Sequence, residues 1–224
     1  MKKIFLILAL TILFFNKGYA ASGEGPATEY LVTVKKVELC EDSACATSTT
    51  VGEKDMNMDI ASVSAGTDIG TYAETTGLPL GTTFSHLRVT ISRSFTVTGS
   101  VTAGSTVCAT DGGTDNIATN LLDAGTGTAT STSMYLVNAA TYDASDGSTG
   151  GSDITMAYSS PTYATSMTVS GSTAVMIYEL TSPYTVGIKS PVIKVVFNTD
   201  TALGATDDAC VMWLQEPYCS ITIE

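Results

Sequence analysis

The sequence of 224 residues contains only one histidine and one tryptophan. A Ser-His-Asp or Cys-His catalytic arrangement would have to use His86 as its base. His86 lies on the polar side of an alternating segment, which predicts an outward-facing strand residue instead. The chain also lacks a G-x-S-x-G elbow, a P-loop, a GxGxxG fingerprint and an HExxH motif. These absences predict a protein that is not an enzyme, with a hydrolase built on His86 or on a carboxylate pair kept as an alternative.

Basic residues are also scarce. The chain has 10 lysines and arginines against 22 acidic residues, which gives a formal net charge of −12. A chain with this charge repels phosphate backbones and anionic lipid headgroups, so nucleic acid is not an expected partner. Two interpretations of the acidic surface stay open: a solvated coat of carboxylates, and a surface that attracts divalent cations.

Only one long apolar run is present, at residues 4–15. It is shorter than the ~20 residues that a membrane helix needs. Lys2 and Lys3 precede it and the small residue Ala20 follows it, which is the pattern of a cleavable signal peptide over residues 1–20. Removal of this leader takes three lysines with it and changes the net charge from −12 to −15. We therefore expect an exported chain without a membrane-spanning segment, in the periplasm, at the cell surface or outside the cell.

Helical periodicity is missing as well, whereas Thr, Ser, Gly, Ala and Val are abundant. Residues 30–39 alternate between apolar and polar types and change phase at Lys35 and Lys36, which predicts a strand with a β-bulge. Residues 55–60 alternate without a slip, and residues 170–172 have the composition of a hairpin turn. Further strand candidates are residues 134–137, 154–158, 167–169, 174–180, 184–188, 192–197, 210–214 and 219–223.

One long alternation covers residues 84–101. Arg93 falls on its apolar side, and an unpaired buried guanidinium is costly, so Arg93 must end the buried segment, lie at a bulge or find a partner. We expect a strand break at residues 92–94. The runs at residues 175–178 and 192–197 are apolar at nearly every position, which predicts central strands buried on both faces.

Stretches rich in Gly, Ser, Thr and Asp separate the strand candidates. The longest are residues 111–116, 123–133 and 143–153. These patterns predict an all-β fold, an antiparallel β-sandwich with long loops of this composition, formed by residues 21–224 as a single elaborated domain. The alternative is a split near residues 101–133 into two small β domains.

Five cysteines follow the leader, as expected for a chain that folds in an oxidising compartment. Cys40 and Cys45 would close a small loop at the end of the first strand. A hairpin between Cys210 and Cys219 would place these two residues opposite one another at disulfide distance and leave Cys108 unpaired. A competing scheme pairs Cys108 with one of them and frees the other, and the sequence leaves both open. No CxxC pair is present, which excludes the usual zinc spacing.

Calcium is the one cofactor for which the sequence offers ligands. The candidate carboxylates in glycine-containing loops are Asp111, Asp115, Asp143, Asp146 and Asp153. Their order does not match a twelve-residue EF-hand loop, and the same residue types commonly make turns. We therefore expect no metal and no cofactor, with calcium as the alternative.

A carbohydrate-binding module would need aromatic side chains on one flat face. Trp213 has the same parity as Val211 and is predicted to lie in the core, because large aromatic residues supply much of the burial in a small sandwich. The tyrosines are spread over strands and loops. A row of exposed tyrosines beside Trp213 would favour glycan binding instead.

Four short motifs together resemble those of a known family. They are LVTVKKVEL at residues 31–39, MDI at 58–60, LPLG at 78–81 and HLRVTI at 86–91. Their arrangement resembles an exported bacterial family of unknown function with a transthyretin-like (prealbumin-like) β-sandwich. The resemblance covers about residues 28–100; it implies a sandwich and brings no catalytic residues with it.

Together these features predict an exported, non-enzymatic surface or periplasmic protein with a structural or adhesive role. Its partner would be an unidentified protein or a glycan. Self-assembly is an alternative for which the sequence gives no support beyond two segments that could add a strand, residues 21–34 and 219–224. Residues 21–27 are too short and polar for the donor segment of a chaperone-assembled pilin. The alternatives are a carbohydrate-binding module and a calcium-binding surface protein.

Overall fold

The structure, a computed structural model, describes residues 21–62, 77–113, 122–136, 164–189, 191–207 and 210–223. These residues form thirteen strands and no helix, so none of them belongs to a helix that could cross a membrane. The strands are β1 Ser22–Gly25, β2 Ala27–Cys40, β3 Ser48–Asp59, β4 Thr83–Ala103, β5 Thr106–Ala109, β6 Leu122–Asp123, β7 Thr132–Tyr135, β8 Ser166–Ser170, β9 Thr173–Thr185, β10 Ile193–Asn198, β11 Leu203–Thr206, β12 Val211–Leu214 and β13 Tyr218–Ile223.

The strands form one large sheet and two smaller ones, and every strand pairing is antiparallel. The large sheet has seven strands, in the order β3-β2-β4-β9-β8, with β5 and β7 paired to β4. The smaller sheets have the orders β1-β11-β12-β6 and β10-β13. β1 and β11 pack against β4, and β13 packs against β9, so the smaller sheets cover the large one. The predicted all-β, antiparallel sandwich is confirmed.

The core lies between these layers. Tyr30, Phe95 and Val97 of the large sheet belong to the same buried cluster as Leu203 and Met212 of the smaller one. The rings of Tyr30 and Phe95 meet edge to face at 5.4 Å, an arrangement that the aromatic quadrupole favours. Both halves of the chain thus contribute to one core; how the chain divides into domains stays a prediction.

The bulge predicted at Lys35 and Lys36 is present in β2. The register shifts between Val34 and Lys36 in the pairing with β3 and again in the pairing with β4. A slip in the apolar alternation is a local signal, because one inserted residue moves every later side chain to the opposite face. The sequence alone was therefore sufficient to predict the position of this bulge.

The strand break predicted at residues 92–94 is wrong, because β4 is continuous over 21 residues. The chain instead forms a bulge there, since three β4 residues, Ser92, Arg93 and Ser94, face the single β2 residue Thr33. Arg93 stays buried, and its Nε donates a hydrogen bond to the carbonyl oxygen of Leu136 at 2.6 Å. The bulge is also the point at which the neighbour of β4 changes from β9 to β7.

Two strands predicted to be buried on both faces are not. β10 is an edge of a two-stranded sheet and is mostly half-buried. β9 lies inside the large sheet, but its buried residues alternate, as Ala174, Met176 and Tyr178 do. Apolar residues at successive positions did not distinguish a half-exposed strand from a central one. The candidate strand at residues 154–158 lies outside the described residues.

The segments predicted to be donated strands are paired within the chain. β1 pairs with β11 and β2 pairs with β3 and β4, which uses residues 22–34. β13 pairs with β10 along all six of its residues. Neither segment is therefore a free strand in this conformation.

Candidate functional site

Among the residues that the structure describes, the strand β8 forms one edge of the seven-stranded sheet, and it is the candidate interaction site. It is held against β9 by the predicted hairpin, whose two connecting residues are Gly171 and Ser172. Gly171 has a φ of 57°, a left-handed conformation that glycine adopts without a Cβ clash. β9 in turn pairs with β4, so β8 is joined through β9 to the central strands of the large sheet.

No residue of β8 carries a charge. Met167 and Val169 face the core and are half-buried, whereas Ser166, Thr168 and Ser170 are exposed. An edge strand has one row of backbone N–H and C=O groups that its own sheet does not use, and such a row can pair with a strand of another chain. Charged side chains, prolines and bulges usually block this pairing, and β8 has none of the three.

The opposite edge of the same sheet, β3, has these protections. Glu53, Lys54 and Asp55 are consecutive and exposed. The register of β3 against β2 shifts twice, and Asp55 forms an ion pair with Lys35 at 3.0 Å. The two edges of one sheet therefore differ: β3 is charged and irregular, whereas β8 is uncharged and regular. Sequence reasoning found both strands but had no signal for which of them are edges.

The predicted disulfide between Cys40 and Cys45 is present, with Cα atoms 4.9 Å apart. It closes the connection between β2 and β3. The carboxylate of Asp42 caps this loop by accepting hydrogen bonds from the N–H groups of Ala44, Ala46 and Thr47. These bonds, that of Ala46 foremost, hold the pKa of Asp42 below its usual value.

Of the two pairing schemes that the sequence left open, the pairing of Cys210 with Cys219 is wrong, and the competing scheme that pairs Cys108 is confirmed. Cys210 is bonded to Cys108, with Cα atoms 5.3 Å apart, and Cys219 is free and buried. The predicted hairpin does not form, because β12 pairs with β11 and β6 whereas β13 pairs with β10 in another sheet. The connection that ends at Pro217 carries the chain from one sheet to the other, and this separates the two cysteines. Both disulfides point to an oxidising environment.

A polar network lies beside the Cys40–Cys45 loop. The guanidinium of Arg88 donates to both carboxylate oxygens of Glu38, from Nε at 2.7 Å and from Nη2 at 2.8 Å. Nη2 also donates to Ser48 Oγ at 3.0 Å, and Nη1 donates to the Cys45 carbonyl at 3.3 Å. Lys36 Nζ adds a second cation 3.2 Å from Glu38 Oε1. The hydrogen bonds from Arg88 are the largest cause that lowers the pKa of Glu38.

A second buried carboxyl, Glu216, has no cation beside it among its described contacts. Its Oε1 accepts a hydrogen bond from the Ala164 N–H at 2.8 Å, and no described group donates to its Oε2. Burial raises the pKa of Glu216 from the ordinary 4.5 to about 7, and the Ala164 N–H and the Tyr178 hydroxyl offset this only in part. Sequence reasoning missed this group, because a single glutamate between two strands has no local signal of burial.

Three neighbours of Glu216 are buried with it. Tyr30 donates to the Gln215 carbonyl at 3.0 Å, and Tyr178 and Cys219 lie in the same cluster. Burial first, and the Glu216 charge second, raise the pKa values of both tyrosines and of the Cys219 thiol. The cluster is therefore uncharged, apart from Glu216, at physiological pH.

Of the calcium candidates, only Asp111 lies in the described part of the chain. Its Oδ1 accepts a hydrogen bond from the Gly113 N–H at 2.9 Å, which is an Asx-turn. Among the described residues, no three His, Cys, Asp or Glu side chains form a group that could hold a metal. Asp115, Asp143, Asp146 and Asp153 lie outside the described residues. Calcium binding stays an untested alternative.

His86 lies in β4 and is half-buried. Its Nδ1 is 2.8 Å from Ser85 Oγ, and the same hydroxyl donates to the Glu41 carbonyl at 2.9 Å. Because Ser85 directly precedes His86 and already binds main chain, this contact resembles a strand-surface hydrogen bond rather than a nucleophile held by a base.

Trp213 is not a core residue, contrary to the prediction. Met212 and Leu214 face the core, so Trp213 lies half-buried on the opposite face of β12. Its indole covers Gly204, the residue directly opposite in β11, where any side chain would collide with the ring. Among the described residues, no tyrosine stands beside Trp213 in the register of this sheet. A flat aromatic row is therefore absent from the described part of this surface.

Comparisons of the chain with protein-family models, with curated proteins and with solved structures found no match. The resemblance to a transthyretin-like exported family therefore stays a prediction.

Proposed function

We propose that the chain is an exported, non-enzymatic structural or adhesive protein of the cell surface or periplasm that associates with a second copy of itself through β8. The observation that carries this proposal is the uncharged, regular edge of β8 on a strongly acidic molecule. The two disulfides support export, because such bonds persist in oxidising compartments.

Charge favours a second copy as the occupant of this edge. At the net charge of −15 that remains after removal of the leader, most surfaces of two copies repel one another. Residues 164–178, which include β8 and the part of β9 that pairs with it, contain no charged residue, so two copies can approach there without opposing carboxylates. Pairing of β8 with β8 adds backbone hydrogen bonds and merges the two sheets across the dimer.

Two-fold symmetry allows several registers for such a pair, and the one that pairs all five residues of β8 is centred on its middle residue. β8 has five residues, with Thr168 at its centre. In an antiparallel pair centred on Thr168, each Thr168 faces its own copy, and Ser166 of one copy faces Ser170 of the other. Met167 and Val169 of both copies then lie on the core side and extend the apolar face.

Cysteine cross-linking tests this register. We expect Thr168→Cys to form a covalent dimer under mild oxidation, because the two thiols lie directly opposite one another. Ser166→Cys and Ser170→Cys should cross-link when mixed and not when either is oxidised alone. Asn57→Cys, an exposed position on the charged edge β3, is the matched control and should form no covalent dimer. The readout is non-reducing electrophoresis with intact mass measurement.

The unmodified protein provides the second measurement. Light scattering during size-exclusion chromatography should give a dimer whose fraction rises with concentration, and Val169→Lys should abolish it by burying a charge at the interface. A monomer at every concentration, together with no Thr168→Cys cross-link, would show that β8 is not a self-association edge. Cross-linking of Asn57→Cys to the same extent would overturn the assignment to β8 as well.

A further inference from the structure

We infer that Asp207 is a binding site for the chain's own amino terminus, which is created when the leader is removed after Ala20. The inference rests on the export part of the proposed function. Its observation is a direct contact: the main-chain nitrogen of Ala21 donates to Asp207 Oδ1 at 2.7 Å. The N–H of Asp207 donates back to the Ala21 carbonyl at 2.9 Å.

This two-way contact continues the pairing of β1 with β11. The register joins Ser22 to Thr206 and continues to Gly25 and Leu203, so Ala21 and Asp207 are the next pair of the ladder. The position of the Ala21 nitrogen is therefore set by a sheet. Because Ala21 directly precedes a paired strand, its nitrogen is held beside the Asp207 carboxylate. The nitrogen of a freely moving terminus would not be held at one position.

Close packing on the other side of β1 fixes the strand further. A Cβ at Gly23 would collide with the Thr102 carbonyl oxygen, and one at Gly25 would collide with the Ser100 carbonyl oxygen. β1 thus lies directly on the backbone of β4. Gly104 packs against both residues of the contact between Ala21 and Asp207. A Cβ at Gly104 would lie 2.8 Å from Asp207 Oδ2 and 3.1 Å from Ala21 Cβ.

Cleavage changes the chemistry of this contact. Hydrolysis of the bond between Ala20 and Ala21 by an exported endopeptidase adds one water, leaving a carboxylate on the leader and an ammonium on Ala21. The nitrogen changes from a neutral amide with one hydrogen to a cation with three donors. Its hydrogen bond to Asp207 then becomes a charge-assisted ion pair, which is roughly twice as strong as a neutral one. Processing therefore strengthens a contact that the unprocessed chain already makes.

The ion pair makes two measurable predictions. The pKa of the α-amino group should lie above its usual range of about 7.7–8.0, because Asp207 favours the charged form. The stabilisation should be complete below that usual range and lost as the pH rises through the raised value. Acetylation of the amino group, which restores a neutral amide, should remove it at every pH.

The experiment compares proteins that begin at Ala21, released by a site-specific protease, with a free or a selectively acetylated terminus. We expect the free form to melt several degrees above the acetylated form at pH 6 and at the same temperature at pH 10.5. Asp207→Asn should abolish the difference at pH 6. Asp200→Asn, an exposed carboxylate in the turn before β11, is the control and should preserve it.

Equal melting temperatures of the free and acetylated forms at pH 6 would overturn the inference, as would an α-amino pKa within the usual range. Export is tested separately, by the intact mass of the protein recovered from bacteria that express the full chain. A mass that retains residues 1–20 would contradict export, and the melting comparison would still give its own answer about Asp207.

Discussion

Glu38 and Glu216 are buried to nearly the same extent, with 6% and 9% of their surfaces exposed, yet their environments act in opposite directions. Glu38 receives two hydrogen bonds from Arg88 and a contact from Lys36, and its pKa is lowered. Glu216 receives a hydrogen bond from the Ala164 N–H and lies near the Tyr178 hydroxyl, with no described cation beside it, and its pKa is raised to about 7.

The difference shows that the partners of a buried carboxyl, rather than its burial alone, decide its charge. Both lose most of their hydration on folding, which disfavours the anion. At Glu38 the guanidinium replaces the lost water with a bidentate pair. At Glu216 no described cation replaces the lost water, so the buried carboxyl is more stable in its protonated, uncharged form. One fold thus contains a glutamate with a lowered pKa and a glutamate with a raised pKa.

The largest expected effect comes from removing the cation at Glu38. Arg88→Met should lower the free energy of unfolding at pH 7 by about 3 kcal/mol, because among the described residues it leaves the buried carboxylate with Lys36 as its one ionic partner. Urea unfolding measures the change. The double variant Glu38→Gln with Arg88→Met is the control and should recover at least about 1 kcal/mol, since the buried charge is gone. A loss below about 1 kcal/mol for Arg88→Met would contradict this account of Glu38.

The next effect is the pH dependence at Glu216. The unfolded chain ionises this carboxyl above its ordinary pKa of 4.5, whereas the folded chain keeps the proton until about pH 7. Rising pH therefore favours the unfolded state across this window, and the contribution of Glu216 to stability should fall by up to about 3 kcal/mol and then level off. Glu38 has the opposite sign: its stabilisation is present above its unfolded-state pKa and is lost as the pH falls through the lowered value.

A difference measurement isolates Glu216 from the other acidic residues. Glu216→Gln should remove the decline between pH 4.5 and 7, so its stability relative to the unmodified protein rises with pH across that window. Glu24→Gln, at an exposed position in β1, should follow the unmodified protein throughout. Parallel curves for Glu216→Gln and the unmodified protein would mean that the Glu216 carboxyl titrates normally.

The smallest expected effect tests which cation holds Glu38. Lys36 lies 3.2 Å from Glu38 Oε1 and 4.0 Å from Glu53, and about a third of its side chain is exposed. Lys36→Met should therefore cost only about 0.5 kcal/mol, and added salt should reduce the cost further. Urea unfolding at low and high salt checks this. A cost equal to that of Arg88→Met would mean that the two cations share Glu38 equally.

Local features of the fold were predictable from the sequence. The bulge at Lys35 and Lys36 leaves a slip in the alternation, and the Cys40–Cys45 loop is short enough that its closure needs no knowledge of the sheets. The hairpin at Gly171 is equally local. Each depends on residues within a few positions of one another, so side-chain parity and turn chemistry are sufficient.

Features that depend on which strands share a sheet were not predictable. Arg93 remains in its strand because its partner is the Leu136 carbonyl, 43 residues away. Cys210 bonds to Cys108 because β12 and β13 belong to different sheets. The burial of Glu216 and the position of β8 at a sheet edge also depend on which strands are neighbours. The order of the strands in a sheet does not change the apolar-polar periodicity within a single strand, so that periodicity does not reveal the strand's neighbours.

The bond between Cys108 and Cys210 closes a ring of main chain and sulfur, because its two cysteines are 102 positions apart. Over that stretch the molecule is a macrocycle, and hydrolysis of any single peptide bond in it opens the ring without dividing the molecule. Two cuts, or one cut with reduction of the disulfide, are needed to release a fragment. Where proteases are present and thiol reductants are absent, a first cleavage between residues 108 and 210 thus causes no loss of mass.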